Sequence, residues 1–350
     1  MRPRLLALKT AVPPHVIAQN QAALYAQSLF AQVRDIARLI PVFENTGIAQ
    51  RYSCVPIEWY LGDHGWLDRT ELYVANAVNL LETATRRLLE EAKLTPQDID
   101  AIVTVSTTGI ATPSLDALLV ERMGLKREIK RLPVFGLGCA GGVTGLARAA
   151  DLARAVPGSK VLFLVVELCA LTFRKNDTSK SNIVATALFG DGAAGAILST
   201  TGEGPALGAA GEYTWPHSLD VMGWDMAEDG LKARFAKSIP DLVASDFRPL
   251  LDGFLARSDI ALADVDAFAC HPGGAKVLDA LEDALQLPRG GLKESRSVLR
   301  DYGNMSAVTV LFVAERMDVM RKKQNTLLTA LGPGFSAAFL MLDGQGPRTP

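Results

Sequence analysis

Cys139 lies in the run Gly136-Leu-Gly-Cys-Ala-Gly-Gly142, directly ahead of an apolar helical stretch. A thiol at a helix start faces unpaired backbone N–H groups and the positive end of the helix dipole. Both favour thiolate, the nucleophilic form, and such settings lower a cysteine pKa from ~8.5 to roughly 3.5–7.5. The flanking glycines are expected to let a bulky acyl group approach the backbone closely. The competing reading is a small buried cysteine in a tight turn. Two further residues suit the same chemistry, His271 in Cys270-His-Pro-Gly-Gly274 and Asn304 in Tyr302-Gly-Asn-Met-Ser306. A Cys–His–Asn set can take an acyl group from a thioester, with imidazolium paired to thiolate. His271 and the Asn304 amide can then donate to a thioester oxygen as it becomes an enolate, which suits decarboxylation of a malonyl thioester. Against this, His271 reads equally as a turn residue and Asn304 as a helix cap. The other histidines, 15, 64 and 217, have no companion motif.

A repeated pattern positions the three residues. Leu88-Leu-Glu-Glu-Ala-Lys-Leu-Thr-Pro-Gln-Asp-Ile-Asp100 parallels Phe254-Leu-Ala-Arg-Ser-Asp-Ile-Ala-Leu-Ala-Asp-Val-Asp266, and each leads into a short apolar strand, 102–106 and 267–271. Gly138-Cys139 then parallels Gly303-Asn304, and Phe189-Gly-Asp-Gly192 parallels Leu331-Gly-Pro-Gly334. A period this long is not a solenoid repeat. It predicts two related α/β halves, 1–204 with the cysteine and 205–350 with the histidine and asparagine, linked through the turn-rich Ser199-Thr-Thr-Gly-Glu-Gly-Pro205. The continuous apolar run 161–168 reads as a strand buried on both faces, and 193–198 and 335–342 as closing strands. The stretches 139–156 and 305–320 read as buried central helices. The predicted fold class is therefore α/β, an αβαβα layered sandwich of two pseudo-symmetric halves. Cys139 and Asn304 start twin helices, and His271 ends a strand, where sites in α/β sheets form.

Composition narrows the function classes. The chain has 350 residues, 49% apolar and 21% charged, with a net charge of −2. This supports a full core and gives no footprint for nucleic acid. No apolar run is long enough for a membrane span, and the N-terminus has no signal core. The four cysteines lack C-x-x-C spacing, so neither disulfides nor a metal is expected, and the setting reads as cytoplasmic. Gly136-Leu-Gly-Cys-Ala-Gly141 matches G-x-G-x-x-G literally. It opens no βαβ unit and lacks a strand-end acid ~20 residues on: Asp151 falls inside the helix and Glu167 late in its strand.

The motifs Gly138-Cys-Ala-Gly-Gly142, Leu188-Phe-Gly-Asp-Gly192, Cys270-His-Pro-Gly-Gly274, Tyr302-Gly-Asn-Met-Ser306 and Leu331-Gly-Pro-Gly334 run in one order along most of the chain. Together they resemble the type III polyketide synthases, the chalcone synthase-like branch of the thiolase superfamily. The resemblance implies a thiolase-like fold and a homodimer. Coenzyme A thioesters, an acyl-CoA starter and malonyl-CoA, would be the substrates, without a metal or redox cofactor. It implies that Cys139 holds the growing chain and that His271 and Asn304 drive decarboxylation. Phe189 would stand beside them. Thr107, Thr108, Cys169, Thr172 and Ser306 would line the cavity, and Gly332, Pro333 and Gly334 would scaffold the cyclisation chamber.

Departures from the plant members refine the expectation. Ala233 aligns with an entrance phenylalanine, with Phe235 two residues on, and Thr112 replaces a methionine that reaches across the dimer. Of the basic residues that grip coenzyme A phosphates, Arg38 is the best remaining match. Small Ala233 and Thr112 imply an open tunnel for a medium- or long-chain fatty acyl starter, with an alkylpyrone or alkylresorcinol as product. A tetrahydroxynaphthalene- or chalcone-type activity is the alternative, as is a ketoacyl-ACP synthase III-like condensing enzyme.

Overall fold

The computed structural model describes residues 1–31 and 36–344. The last residues of the predicted C-terminal half, 345–350, lie outside it. Nine strands form one sheet: β1 (Arg4–Ala11), β2 (Ala101–Val105), β3 (Lys130–Val134), β4 (Val161–Leu168), β5 (Asp191–Ser199), β6 (Ala206–Thr214), β7 (Ala267–Cys270), β8 (Thr326–Gly332) and β9 (Ser336–Asp343). Their order is β7-β8-β9-β6-β1-β5-β4-β2-β3. Two short ribbons stand apart, one pairing His15–Ala18 with Gln50–Ser53, the other Met222–Ala227 with Gly230–Phe235.

Each half repeats one pairing pattern. In the first, β1 meets β5 and β5 meets β4 antiparallel, and β4 meets β2 parallel. In the second, β6 meets β9 and β9 meets β8 antiparallel, and β8 meets β7 parallel. The halves join where β1 touches β6 at a single register pair, Arg4 with Ala206. The turn-rich link sits at that seam. The repeated aspartates explain why the pattern recurs in sequence. Asp100 accepts the Lys160 N–H at 2.8 Å just before β4. Asp266 accepts the Asn325 N–H at 2.8 Å just before β8. Each carboxylate therefore ties the entry of one strand to the start of its parallel neighbour.

The layers follow from strand alternation. β4 is buried throughout, as its apolar run, broken only by Glu167, predicts. Its Val161, Phe163 and Val165 face the central helices, and Leu162, Leu164 and Val166 face an outer layer. That layer includes the 27-residue helix Trp66–Ala92, which presents Tyr73, Ala77, Leu81, Ala84 and Leu88 at helical spacing and ends where Lys93 turns left-handed. On the far side, Ile239–Arg257 and Ala275–Ala284 cover the second half through Phe247, Leu251, Leu278 and Leu281. Between the halves run the central helices Gly141–Ala155 and Thr309–Arg316, sharing one core.

Both central helices are entered through a 3-10 turn, Gly138–Ala140 and Ser306–Val308. The second helix is shorter than its apolar pattern predicts. It stops at Arg316 because Asp318 is left-handed, with φ 57°. Two glycines of the cysteine run serve packing. A Cβ on Gly142 would lie 2.1 Å from the Ala307 carbonyl oxygen, and one on Gly141 2.8 Å from Val105, whereas one on Gly136 would meet open space. Gly141 and Gly142 let the two central chain turns touch. Overpacking of this kind costs roughly 1–3 kcal/mol, occasionally more. Gly142→Val is therefore expected to lower the stability measured by urea unfolding by at least about 2 kcal/mol. An unchanged midpoint would show that the halves do not depend on this contact.

Candidate active site

The cysteine turn is held from three sides. Gly138 is left-handed (φ 49°), and its N–H donates to Thr107 Oγ1 at 3.0 Å. A Cβ on Gly138 would lie 2.4 Å from Pro333, and one on Gly332 2.7 Å from the Ala140 Cβ. The Gly332–Pro333–Gly334 corner thus packs directly under the turn that carries Cys139. Gly334 has φ 117° as the chain reverses into β9, and its carbonyl accepts Ser218 Oγ at 3.0 Å. The Cys139 thiol donates to Ser306 Oγ at 3.5 Å. Ser306 itself is left-handed, with φ 48°.

Asn304 does two things at once. Its Oδ1 accepts the Ser306 N–H at 2.8 Å, a local turn just ahead of the 3-10 turn, whose N-cap is Met305. Its Nδ2 makes only a long contact, 3.2 Å, to the Gly273 carbonyl. The main chain is fixed by Asn304 N–H to Leu188 carbonyl at 2.8 Å and Gly190 N–H to Asn304 carbonyl at 3.0 Å, a parallel bridge to Phe189. His271 follows β7, and its N–H donates to the Thr329 carbonyl at 2.8 Å. Its ring is 5% exposed, and neither ring nitrogen has a hydrogen-bond partner among the described residues.

Cys139, His271 and Asn304 line one cleft of about 1030 Å³, with Arg38 and Phe235 also on its wall. Thus a residue from the first half and two from the second converge where the halves meet. Phe189, Cys169, Thr172 and Ala233 line a second, narrow apolar cavity with Ala26, Leu29 and Phe173. Phe189 lies between Trp224, tilted against it, and Phe235, edge-on to it, with ring centroids 5.7 Å away in each case. The aromatic two residues beyond Ala233 thus packs edge-on against Phe189, while Ala233 itself lines the cavity. The remaining threonines are committed to the scaffold. Thr107 N–H and Thr108 Oγ1 donate to Glu167 Oε2 at 3.0 and 2.7 Å, and Thr172 Oγ1 donates to the Cys169 carbonyl at 2.6 Å.

Electrostatics reverse one expectation. Burial pushes the Cys139 thiol up, to about 12; the Ser306 hydrogen bond opposes this and the nearby Glu167 charge adds to it. Burial pushes the His271 imidazole down, to about 3. Taken singly, both groups are uncharged at neutral pH, so the helix start alone does not yield a thiolate. Moving the thiol proton to the imidazole creates two opposite charges inside one cleft. Their mutual attraction and the helix dipole are what can offset desolvation.

Some contributors escape motif reading. Glu167 is fully buried, with burial raising its carboxyl to about 7. Its signal was present: it is the one charged residue in an otherwise apolar strand. Arg51 supports the Phe189 backbone, donating to the carbonyls of Phe189 at 3.2 Å and Ala187 at 3.0 Å. No local motif marks it.

Comparisons with known proteins agree with this geometry. The N-terminal domain model of chalcone and stilbene synthases matches residues 2–202, and the C-terminal domain model matches residues 207–345. The chain is 40% identical to the 1,3,6,8-tetrahydroxynaphthalene synthase of Streptomyces peucetius subsp. caesius, covering 96% of this chain and 92% of that protein. It is 29% identical to the phloroglucinol synthase of Pseudomonas fluorescens, covering 93% and 94%. The crystal structure of the tetrahydroxynaphthalene synthase of Streptomyces coelicolor A3(2), a bacterial type III polyketide synthase, superposes with a TM-score of 0.93 over 98% of this chain and all of that one, at 29% identity. With both domain models matched end to end on a duplicated thiolase-like fold, the chain belongs to the chalcone and stilbene synthase family, the type III polyketide synthases, which are acyltransferases of the condensing kind.

Proposed function

We propose that this polyketide synthase loads a medium-chain fatty acyl-CoA on Cys139, extends it with a few malonyl units and closes the product to an alkylpyrone or alkylresorcinol. In loading, the Cys139 thiolate attacks the thioester carbonyl; a new C–S bond forms, and coenzyme A leaves as a thiol with the proton held on His271. In extension, malonyl-CoA loses CO2 and the electron pair of the broken C–C bond flows into an enolate. Neutral imidazole is the form that donates one N–H to the enolate oxygen without trapping it as an ion pair. Burial of His271 favours that form. Asn304 Nδ2 supplies a second donor; oxyanion donors are worth roughly 3–4 kcal/mol each. The enolate carbon then attacks the acyl-Cys139 carbonyl, forming C–C and releasing the thiolate for the next round.

The observation that carries the starter assignment is the apolar cavity behind Phe189. Phe189 lines it, and the same residue is bridged through its backbone to Asn304, which lines the cleft. An acyl tail on Cys139 thus has an apolar compartment next door. The cavity is small, about 70 Å³, which favours a medium over a long tail. A second reading is favoured by the 40% identical relative named a tetrahydroxynaphthalene synthase: malonyl-CoA as both starter and extender. A panel of acyl-CoAs of rising length, each with labelled malonyl-CoA and product mass spectrometry, separates the two. Turnover rising to a maximum at medium length is expected. Greater turnover with malonyl-CoA alone would overturn the fatty acyl reading.

We also propose a homodimer through β3. This strand pairs only with β2, and no other strand covers its free edge among the described residues. Leu132 and Phe135 are 37% and 57% exposed there. A bare strand edge is a template for another strand, and the chain leads from it straight into the Cys139 turn. Light scattering is expected to give twice 37.4 kDa for the native chain and a monomer for Phe135→Glu. A monomeric native chain would refute it.

A further inference from the structure

The helix Lys180–Leu188 ends at the bridge between Phe189 and Asn304. Its last helical bond runs from the Phe189 N–H to the Ala185 carbonyl at 2.9 Å. The next four carbonyls, of residues 186–189, have no partner within the helix, and such orphans need other donors. Three of them are met by one side chain. Arg51 Nη1 donates to the carbonyls of Thr186 and, at 3.2 Å, Phe189. Its Nη2 donates to the Ala187 carbonyl at 3.0 Å. The fourth carbonyl, of Leu188, accepts the main-chain N–H of Asn304 at 2.8 Å. Asn304 is thus the fourth cap of a helix end whose other three carbonyls are held by Arg51. Gln19 steadies the arrangement, accepting from Arg51 Nη2 and donating to the Ala187 carbonyl at 3.0 Å.

Arg51 is only 4% exposed, and a buried cation is costly unless its donors are met. The helix end supplies what it needs: carbonyls within reach and the negative pole of the dipole. A planar guanidinium reaches several acceptors in a fixed fork, which an ammonium on a flexible stem does not. The stem is fitted to the same bridge. A Cβ on Gly190 would lie 3.3 Å from the Arg51 Cβ, and one on Gly303 3.4 Å from it. The strand that carries Arg51, Gln50–Ser53, is itself pinned to both sides. The Ala49 N–H donates to the Arg300 carbonyl at 2.8 Å, and the Cys54 N–H to Asp191 Oδ2 at 2.9 Å. The Cys139 turn hangs on other contacts, to Thr107 and Pro333, and the His271 main chain on Thr329.

We propose that Arg51 is the positioning residue for Asn304. By closing the helix end it fixes the main chain on which the Asn304 amide stands, and so the place of the donor that meets the enolate oxygen. It acts through Asn304 and not on the reacting atoms. The assignment rests on the reading of Asn304 as that donor. Displacing a placed group by about 1 Å can cost about a hundredfold in rate. Decarboxylation should therefore depend on Arg51, while formation of the Cys139 thiolate, which needs His271, should not.

Two measurements separate these steps. Release of CO2 from carboxyl-labelled malonyl-CoA counts each broken C–C bond, whether the enolate then takes a proton from water or attacks an acyl group. Iodoacetamide alkylation of Cys139 near pH 7 reports the thiolate. Arg51→Lys keeps the charge and loses the fork. It is expected to lower kcat for CO2 release at least about tenfold, with the KM for malonyl-CoA and the alkylation rate within about twofold of wild type. Gln19→Met removes the group that orients the guanidinium and leaves the four carbonyls capped. It should lower CO2 release about threefold, again with alkylation unchanged. Should Arg51→Lys not fold, Gln19→Met decides by the same split. Unchanged CO2 release, or an equal fall in CO2 release and alkylation, would overturn the assignment. CO2 release by Asn304→Ala at the wild-type rate would instead overturn the reading of Asn304 as the enolate donor.

Discussion

Gly142 lies so close to the Ala307 carbonyl that a single added carbon would sit 2.1 Å from its oxygen. The two residues belong to equivalent turns of the repeat, at the entrances of the two central helices. Their contact brings Cys139, on one turn, to 3.5 Å from Ser306 on the other. Asn304 orients Ser306 from its own side chain. On the first turn, Pro333 and Gly332 press in from the second half. The site is therefore a product of how closely the halves approach, and that closeness requires residues without side chains at the crossing.

The same closeness sets the chemistry. A deep seam between the two halves excludes water, and exclusion penalises every isolated charge. The thiol rises, the imidazole falls and the Glu167 carboxyl rises toward neutrality. Such a seam suits a reaction that needs two forms of one histidine. A proton acceptor is required while the thiolate forms, and a neutral N–H donor while an enolate forms. Placing cysteine and histidine on different halves lets each be buried by its own scaffold while both open on the same cleft.

Much of this was legible because the chain says it twice. The aspartates of the two Asp-(Ile/Val)-Asp runs make matching backbone bonds, so the repeat in letters is a repeat in hydrogen bonds. The apolar run of β4 could only be a strand covered on both faces. What was not legible depended on distance between segments far apart in sequence. The glycines around Cys139 look like room for substrate until Ala307 and Pro333 are seen filling that room. Nothing next to Ala233 in sequence announces that Phe235 and Trp224 flank Phe189. Thr108 lines a small cavity, but that it and Thr107 also share Glu167 as an acceptor is visible only in the fold. The depressed thiol inferred from a helix start ignored burial, a property of the whole seam.

The central claim is that the nucleophile exists only because His271, from the other half, takes the thiol proton. The direct test is the rate of iodoacetamide alkylation mapped to Cys139, followed from about pH 5 to pH 10, in the native chain and in His271→Ala. The account predicts that the native chain reacts at neutral pH. In the variant the rate near pH 7 should fall at least tenfold, with the profile displaced to the alkaline side. Superimposable profiles would show that the helix start makes the thiolate unaided, and would contradict the account.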